Sequence, residues 1–227
     1  MAPAIAYVSL FVGGLWLGLV ALHWRLHGVV SAVHAPLALF QCINLLITLW
    51  ELVLFVYIDE IKARYAGKLK KLERGQLGSI FLFEPVALRD ALSARYWSEV
   101  WAVYSLLDES YSDTGSFGWS IDTGNGFSTL VPTVLLALGM SLQERLMPAR
   151  WLGILGVAAN WQMLYGTVVY FMQYVVNRRW RKHGSTSGQI FVMVLCSNVT
   201  WVVFPALGLW ASCRLILADR APFAVFV

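Results

Sequence analysis

Five long apolar runs, separated by polar stretches of unequal length, set the pattern of this chain. They cover about residues 3–23, 35–58, 118–142, 151–175 and 189–213. A helix that crosses a membrane needs about 20 mostly apolar residues, and a run of 18 or more is a candidate span. The strict alternation of a transmembrane β-barrel does not occur in these runs. The pattern predicts an all-α integral membrane protein, a five-transmembrane-helix bundle that forms one membrane domain over residues 1–227.

The connection at residues 59–117 differs from the spans. Its first part, IKARYAGKLKKLER, carries five Lys and Arg within ten residues and predicts either an interfacial amphipathic helix or a solvated extension of the second span. SIFLFEPVALRDAL and ARYWSEVWAVY then alternate aromatic and charged residues at roughly helical spacing, which is typical of a segment against lipid headgroups. Pro132 and Pro205 interrupt the third and fifth spans and predict kinks there.

Composition and charge agree with a membrane protein. The chain is 59% hydrophobic and 13% charged, with a mean hydropathy of +0.64. The first run has no basic n-region and no clear cleavage site, so we interpret it as a retained span and not as a signal peptide. The net charge of +4 comes from Lys and Arg beside the spans, which favours anionic lipids over nucleic acid as partners.

The distribution of Lys and Arg predicts an orientation. Alternate connections hold twelve of these residues on one side and five on the other, so we expect the N-terminus in the cytoplasm. The membrane would be the plasma membrane in a bacterium and the endoplasmic reticulum in a eukaryote. Gly14 and Gly18 form a GxxxG motif in the first run, which favours close packing inside the bundle and leaves a homodimer as the alternative.

Motifs for metal and cofactor chemistry are missing from the sequence. We find no P-loop, GxGxxG, HExxH or GxSxG, and the three cysteines lie in apolar runs without CxxC spacing. His23, His27 and His34 cluster in the first connection, where their spacing is more typical of an exposed loop than of a metal site. We therefore expect neither a metal nor a cofactor.

Two acidic residues within the apolar runs are the clearest candidates for chemistry. Glu51 lies in INLLITLWELVLFVY at residues 43–57, and Asp122 lies in GWSIDTGNGFSTLVP at the start of the third run. An ionisable side chain in the hydrocarbon region costs a few kcal/mol or more, so it usually faces the bundle interior and has a function. The alternatives are a neutral Glu51 bonded to a neighbouring helix and an Asp122 that only caps a helix.

Amide and aromatic side chains accompany these acids in later spans. Asn198 and Trp201 lie in SNVTWVVFP, and Tyr165 and Tyr170 lie in MLYGTVVYF. Structural alternatives are interhelical hydrogen bonding for the amide, packing for the indole and an interfacial belt for the tyrosines. A dry cavity with carboxylates and an indole face would suit a cation, because both groups stabilise positive charge more strongly away from water.

Several of these stretches resemble the emopamil-binding protein family, the EXPERA superfamily, which holds sterol Δ8-Δ7 isomerases and the sigma-2 receptor. They are WAVYSLLDESYSDTGSFGWSID, LYGTVVYF and NVTWVVFP within about residues 97–213, with a weaker match through LWELVLFVYIDE. The most specific part is NxxWxxxP at 198–205, with YGxxxYF at 165–171 before it.

The resemblance implies roles for particular residues. Glu51 and Asp122 match the acidic residues of the second and third helices, which in the isomerases flank a carbocation formed when a sterol double bond is protonated. Asn198 and Trp201 match the amide and indole on the last helix that complete the pocket. The family also binds cationic amines, as expected of a pocket that holds a carbocation.

A short motif before the third helix also belongs to the resemblance. Tyr104, Asp108 and Tyr111 match it, and the resemblance implies a structural role for the motif. We place Asp108, Tyr111 and Tyr165 beside Asn198 and Trp201 as substrate-binding candidates, with Glu51 and Asp122 as the catalytic ones.

One departure from the isomerase pattern bears on function. The isomerases place a histidine four residues before the glutamate of the second helix, and this chain has Ile47 there. Residues four apart share a helix face, so the change removes a proton-transfer group from the pocket. Asp122 is also one methylene shorter than the family's Glu, and one extra residue separates it from Pro132.

Three functions remain open at this point. The first is an intramembrane isomerase acting on a sterol, terpenoid or other lipophilic alkene, with Glu51 as proton donor and Asp122 as its ionised partner. The second is a non-catalytic protein that binds a sterol, another lipid or a cationic amine, which Ile47 favours. The third is a membrane-bound cyclase for terpenoid or polyketide substrates. A lipophilic small molecule and membrane lipids are the expected partners in all three.

Overall fold

The structure, a computed structural model, describes residues 1–74, 81–178 and 197–227. Within these residues the chain is helical apart from turns and one pair of two-residue strands, β1 (Ala2–Pro3) and β2 (Pro85–Val86), which pair antiparallel. The α-helices are α1 Ala4–His27, α2 His34–Val56, α3 Ile58–Glu73, α4 Leu88–Ala91, α5 Ser98–Tyr104, α6 Phe117–Ser128, α7 Leu130–Leu142, α8 Ala149–Val176 and α9 Ser197–Leu217. Short 3-10 turns lie at Phe81–Phe83, Glu109–Ser112, Gln143–Arg145 and Pro222–Phe226.

Four of the described helices, α1, α2, α8 and α9, are long and apolar enough to cross a membrane. The consecutive helices α6 and α7 meet the same test together, with a bend of 51° between them, so the count is five if this pair forms one span. The prediction of an all-α membrane protein is confirmed. The predicted first span ends at about residue 23, whereas α1 ends at His27. The polar side chains of this last turn lie on helical backbone.

The bend between α6 and α7 falls where the sequence predicts a kink. α6 ends at Ser128, and Pro132 is the third residue of α7. Proline is tolerated in the first turn of a helix because the N–H groups there have no partner within the helix. The helix can therefore restart after the break at Thr129. Pro205 instead lies inside α9, where it is buried.

The connection between the second and third predicted spans is only partly helical. Basic IKARYAGKLKKLER forms most of α3, so the helix predicted there is confirmed. Its Arg64 pairs with Glu60 on α3 and with Glu99 on α5, and Lys68 also pairs with Glu99. These pairs hold α3 against α5. The described residues of SIFLFEPVALRDAL, from Phe81 on, do not form one helix, and Pro85 lies among them on β2.

The described chain forms two compact units. The first unit contains Met1–Ser9 and the described parts of Thr48–Phe127 and Val169–Asn198. Its main core is aromatic and includes Trp101, Tyr111, Tyr170 and Tyr174. Trp101 also fixes α5 to α2, since its indole nitrogen donates to the carbonyl of Trp50 at 2.6 Å.

The second unit contains Leu10–Ile47, Ser128–Val168 and Val199–Val227. Its core is aliphatic, and the C-terminal turn contributes Phe223 and Phe226 to it. Helices α8 and α9 approach closely through glycine: a Cβ on Gly156 would lie 2.2 Å from the Ser212 hydroxyl oxygen, and one on Gly208 would lie 2.4 Å from Asn160 Oδ1. Small residues at such contacts are typical of helix packing in membranes.

Candidate functional site

Glu51 is buried in the first unit, with 6% of its surface exposed. It lies on the last turns of α2, against α6. The contact is close because α6 presents Gly126 to it: a Cβ on Gly126 would lie 3.0 Å from Glu51 Cβ and 3.0 Å from the Leu52 backbone nitrogen. The backbone of α6 therefore packs directly on the turn of α2 that carries the carboxyl group.

Asp122 and Asn125 lie on α6 one turn apart, and both act on Glu51. Asn125 shares a side-chain hydrogen bond with Glu51, in which the amide donates to the carboxyl oxygen, and the carboxyl groups of Asp122 and Glu51 interact electrostatically. Asp122 is the sixth residue of α6, so it is not the helix cap that the sequence left as an alternative. The structure brings the two predicted catalytic acids together.

Tyr111 and Asp108 extend this group of polar residues. Tyr111 is 3% exposed, and its hydroxyl group donates a hydrogen bond to the Asp122 carboxylate. Asp122 also interacts electrostatically with Asp108. Asp108 accepts the Ser110 N–H at 3.0 Å on one oxygen and the Tyr170 hydroxyl at 3.0 Å on the other. Because protein donors occupy both its oxygens, Asp108 anchors the turn before α6 and holds Tyr170 in place.

A chain of hydrogen bonds connects Asp108 with the start of α9. Tyr170 donates to Asp108, so its oxygen can accept from Tyr104, which in turn accepts from Asn198 Nδ2 at 3.1 Å. Burial raises the pKa of Tyr104 to about 12, so its hydroxyl group keeps the proton that it donates. Asn198 is thus fixed through two tyrosines to a buried aspartate.

The hydrogen bonds between Asp108, Tyr170, Tyr104 and Asn198 predict a measurable loss of stability when Tyr170 loses its hydroxyl group. Tyr170→Phe removes a donor from Asp108, which is buried, and an acceptor from Tyr104, which is half-buried, and such losses cost about 1–3 kcal/mol. We expect the midpoint of thermal unfolding to fall by about 2–4 °C per kcal/mol. Tyr165→Phe is the matched control on the same helix, since Tyr165 is 57% exposed. Equal midpoints for the two variants would contradict the hydrogen-bond chain.

Trp201 belongs to the second unit, where it lies among α2 residues. Its indole nitrogen donates to Asn44 Oδ1 at 3.1 Å, and Asn44 Nδ2 donates to the Thr133 hydroxyl at 2.7 Å. The ring of Phe40 meets the indole edge-on, with 6.1 Å between ring centroids. The indole is therefore oriented by a hydrogen bond and by ring packing.

Tyr165 lies outside the buried group of polar residues, and its role in substrate binding stays a prediction. Its ring is 57% exposed and stacks on Trp161, with 6.0 Å between ring centroids. The two residues lie four apart on α8, so they share its outward face. Tyr170, five residues further along, points instead into the core of the first unit.

The sequence predicts an exposed loop for the three histidines, and the structure does not place them in one. His23 and His34 are 1% exposed and stack with 3.9 Å between ring centroids, and His27 packs on His23 at 4.6 Å. Ser141 accepts from His27 through its carbonyl oxygen at 2.8 Å, and its hydroxyl group lies 2.8 Å from His34 Nε2. Their burial follows from α1 continuing through His27.

A polar stripe along α2 is the main feature that the sequence analysis missed. Gln41, Asn44 and Thr48 precede Glu51 at spacings of three, four and three residues, and all four side chains are buried. Residues at this spacing share one face of a helix. This spacing is visible in the sequence, but of the four residues only Glu51 is ionisable and so stands out in an apolar run. Asn125 was missed because an amide in a glycine-rich stretch resembles a turn residue.

The residues around Glu51 suit proton transfer better than metal binding. In the parts of the chain that the structure describes, no group of three or more His, Cys, Asp or Glu is arranged to hold a metal ion. Two carboxyl groups that interact in a medium of low dielectric constant share a proton more readily than they both ionise. One can then donate a proton while the other stabilises positive charge.

Comparison of the chain with protein-family models, with curated proteins and with solved structures finds no match.

Proposed function

We propose that this protein is an intramembrane isomerase that moves a double bond in a sterol, terpenoid or other lipophilic alkene. The observation that carries the proposal is the interacting pair of Glu51, which is buried, and Asp122, which is half-buried, with Asn125 bonded to Glu51 and Tyr111 bonded to Asp122. In the described residues neither carboxyl group forms a salt bridge with Lys or Arg. Buried acids without such a partner are typical of functional sites in membranes.

The proposed reaction needs one proton in and one proton out. Glu51, as the neutral acid, donates its proton to one alkene carbon, and a new C–H bond forms while the neighbouring carbon becomes a cation. The Asp122 carboxylate stabilises this cation and takes a proton from the next carbon, so that the electrons of that C–H bond form the new double bond. Proton transfer between the two carboxyl groups then restores the starting state, with no oxidant or reductant consumed.

Other features complete the proposed site and its setting. From the sequence motif alone we keep Trp201 as the indole that would stabilise the cation by its ring face. We assign the chain to the EXPERA superfamily on the sequence motifs alone, with five spans, α3 at the membrane interface and the N-terminus in the cytoplasm. The membrane would be the plasma membrane of a bacterium or the endoplasmic reticulum of a eukaryote.

Isotope transfer from solvent tests this proposal directly. The purified full-length protein in lipid nanodiscs is incubated in D₂O with a Δ8 sterol and with terpenoid alkenes, and products are analysed by mass spectrometry and NMR. We expect a shifted double bond and one deuterium at the carbon that gains a proton. Cyclised products with deuterium would assign the protein to the cyclases, whereas the absence of both products and deuterium would overturn the enzymatic proposal.

A non-catalytic binding protein is the second candidate, and Ile47 is the observation that favours it. This residue stands on α2, one turn before Glu51, where the isomerases have a histidine. In such a protein the carboxylates would receive the ammonium group of a hydrophobic amine. Saturable binding of a tertiary amine to the same nanodiscs, with no conversion of any alkene in D₂O, would support this function over the isomerase.

A further inference from the structure

The outward face of α8 carries a row of exposed side chains within the second unit. Its members recur at spacings of three and four residues and are Trp151, Ile154, Ala158, Trp161, Tyr165 and Val168. Side chains at this spacing lie along one side of a helix, and two such rows can pack against each other when the helices run nearly parallel. We call these six residues the α8 stripe.

Two members of the α8 stripe lie inside the hydrocarbon core of the membrane when α8 is a span. Arg150 and Arg178 flank the span, and residues 151–177 contain no charged side chain. The hydrocarbon core takes up about 20 helical residues, so every placement that keeps both arginines outside it encloses Trp161 and Tyr165. Exposed Trp and Tyr residues usually lie at the membrane surfaces, where their N–H and O–H groups reach water. This pair lies too deep for that.

The polar groups of these two rings lack hydrogen-bond partners within the described part of the chain. Neither the indole N–H of Trp161 nor the hydroxyl group of Tyr165 forms a hydrogen bond to a described residue. Both side chains are 57% exposed, and the acyl chains of lipids offer no acceptor at this depth. A polar group left unpaired in hydrocarbon is costly, so the pair indicates that something other than lipid tails covers the α8 stripe.

The outward face of α1 has no such groups. Leu10, Gly14, Leu17 and Gly18 are exposed in its middle, and Trp24 lies in its last turn, at a depth where an indole reaches water. Lipid tails can therefore cover this face. A Cβ on Gly14 or Gly18 would meet nothing within 4 Å, so the GxxxG motif does not make the close packing inside the bundle that the sequence predicts. The glycines alone do not identify a partner.

A second copy of the chain offers the missing partners at the right depth. Two copies insert into the membrane in the same orientation, so a two-fold axis along the membrane normal brings each residue to the depth of its equivalent. Helical side chains lean toward the N-terminus, so the Tyr165 ring lies over the turn that holds Trp161, and its hydroxyl group reaches the level of Trp161 in the second copy. A tyrosine hydroxyl group can accept from an indole N–H and still donate.

We infer that the α8 stripe is the interface of a homodimer, in which Trp161 of each copy donates its indole N–H to the Tyr165 hydroxyl group of the other. The sequence left a homodimer through the α1 glycines as an alternative, and the uncovered polar groups favour α8 instead. The inference is independent of the proposed function, since it uses neither Glu51 nor Asp122. A lipid or a different membrane protein would need an acceptor at the same depth, and purified protein in synthetic liposomes distinguishes both from a second copy.

Energy transfer between labelled copies tests the homodimer. Full-length protein carrying a donor or an acceptor dye is mixed in phosphatidylcholine liposomes over a range of protein-to-lipid ratios. We expect transfer in the wild type to rise to a plateau, as a dimer requires. Trp161→Phe combined with Tyr165→Phe keeps both rings and removes both polar groups, so the midpoint should shift about 10-fold toward higher protein density. Transfer in the wild type that never exceeds random proximity would overturn the inference.

Two variants on α1 are the controls. Trp24→Phe makes the same change from indole to phenyl at an exposed position outside the α8 stripe, and Gly14→Leu fills a face where a Cβ meets nothing. Both should associate like the wild type. Weaker association in Gly14→Leu, together with wild-type association in the double variant, would move the interface to α1 and overturn the assignment. The thermal comparison of Tyr170→Phe with Tyr165→Phe belongs in nanodiscs that hold one copy, where dimerisation does not contribute.

Photo-cross-linking identifies the covered surface directly. A benzophenone amino acid replaces Ile154 in the α8 stripe, or Leu17 on the outward face of α1 as the control, and both positions are exposed. In the same liposomes, the label at position 154 should give a product of twice the chain mass, and the label at position 17 should give lipid adducts. Lipid adducts alone at position 154 would show that lipid covers the stripe and would overturn the homodimer.

Discussion

Glu51→Gln is expected to lower alkene conversion at least about 100-fold, because a positioned general acid contributes about 10²–10⁴ in rate and an amide cannot protonate carbon. Glutamine has nearly the same shape as glutamate and can still bond to Asn125, so the fold should be kept. We expect the thermal midpoint to change little, since glutamine keeps the shape of the neutral acid and its hydrogen bond to Asn125. The measurement is the rate of deuterium incorporation from D₂O into product.

Asp59→Asn is the matched control for this substitution. Asp59 lies in the first turn of α3 and is exposed, so the same change from acid to amide there removes a charge outside the site. Its rate of conversion should equal that of the wild type. Conversion by Glu51→Gln at the wild-type rate would show that this carboxyl group does not supply the proton, whatever else the site does.

The sequence allowed the helical architecture to be predicted because membranes impose a simple rule on length and polarity. The predicted helix boundaries were wrong where polar residues lie on helical backbone. His23 and His27 suggested a loop, yet α1 continues through both, which buries the His23 ring against His34 and brings the His27 ring to the Ser141 carbonyl. The prediction of a fifth span from residue 189 lies partly outside the described residues, and within them α9 begins at Ser197.

The site was predictable in its acids and less so in its supporting residues. The cost of burying a carboxyl group marks Glu51 and Asp122 in the sequence alone. Tyr165 and Tyr170 have similar local sequences, and only packing distinguishes the exposed ring from the buried one. The contact of α6 with α2 depends on Gly126, and a glycine in a sequence does not reveal which backbone it faces.

Gly126→Ala is expected to disturb the site more than its size suggests. The added methyl group would lie 3.0 Å from Glu51 Cβ, 3.0 Å from the Leu52 nitrogen and 3.1 Å from the Glu51 carbonyl carbon. Two of these atoms are backbone and cannot rotate away, so α6 must move off α2, at a cost of about 1–3 kcal/mol. The move would carry Asp122 and Asn125 with it, and since a displacement of about 1 Å can lower a rate about 100-fold, we expect this smaller shift to lower it about 10-fold.

Gly124→Ala provides the control for this prediction on the same helix. Gly124 is exposed, and a Cβ there meets nothing within 4 Å. Alanine favours a helix over glycine by about 0.5–1 kcal/mol, so this variant should be as stable as the wild type or slightly more stable and should keep its rate. The two substitutions add the same methyl group two residues apart, and only one of them faces α2. If both variants show the same thermal midpoint and the same rate, then α6 does not pack on Glu51 through Gly126, and the joined carboxyl pair loses its structural basis.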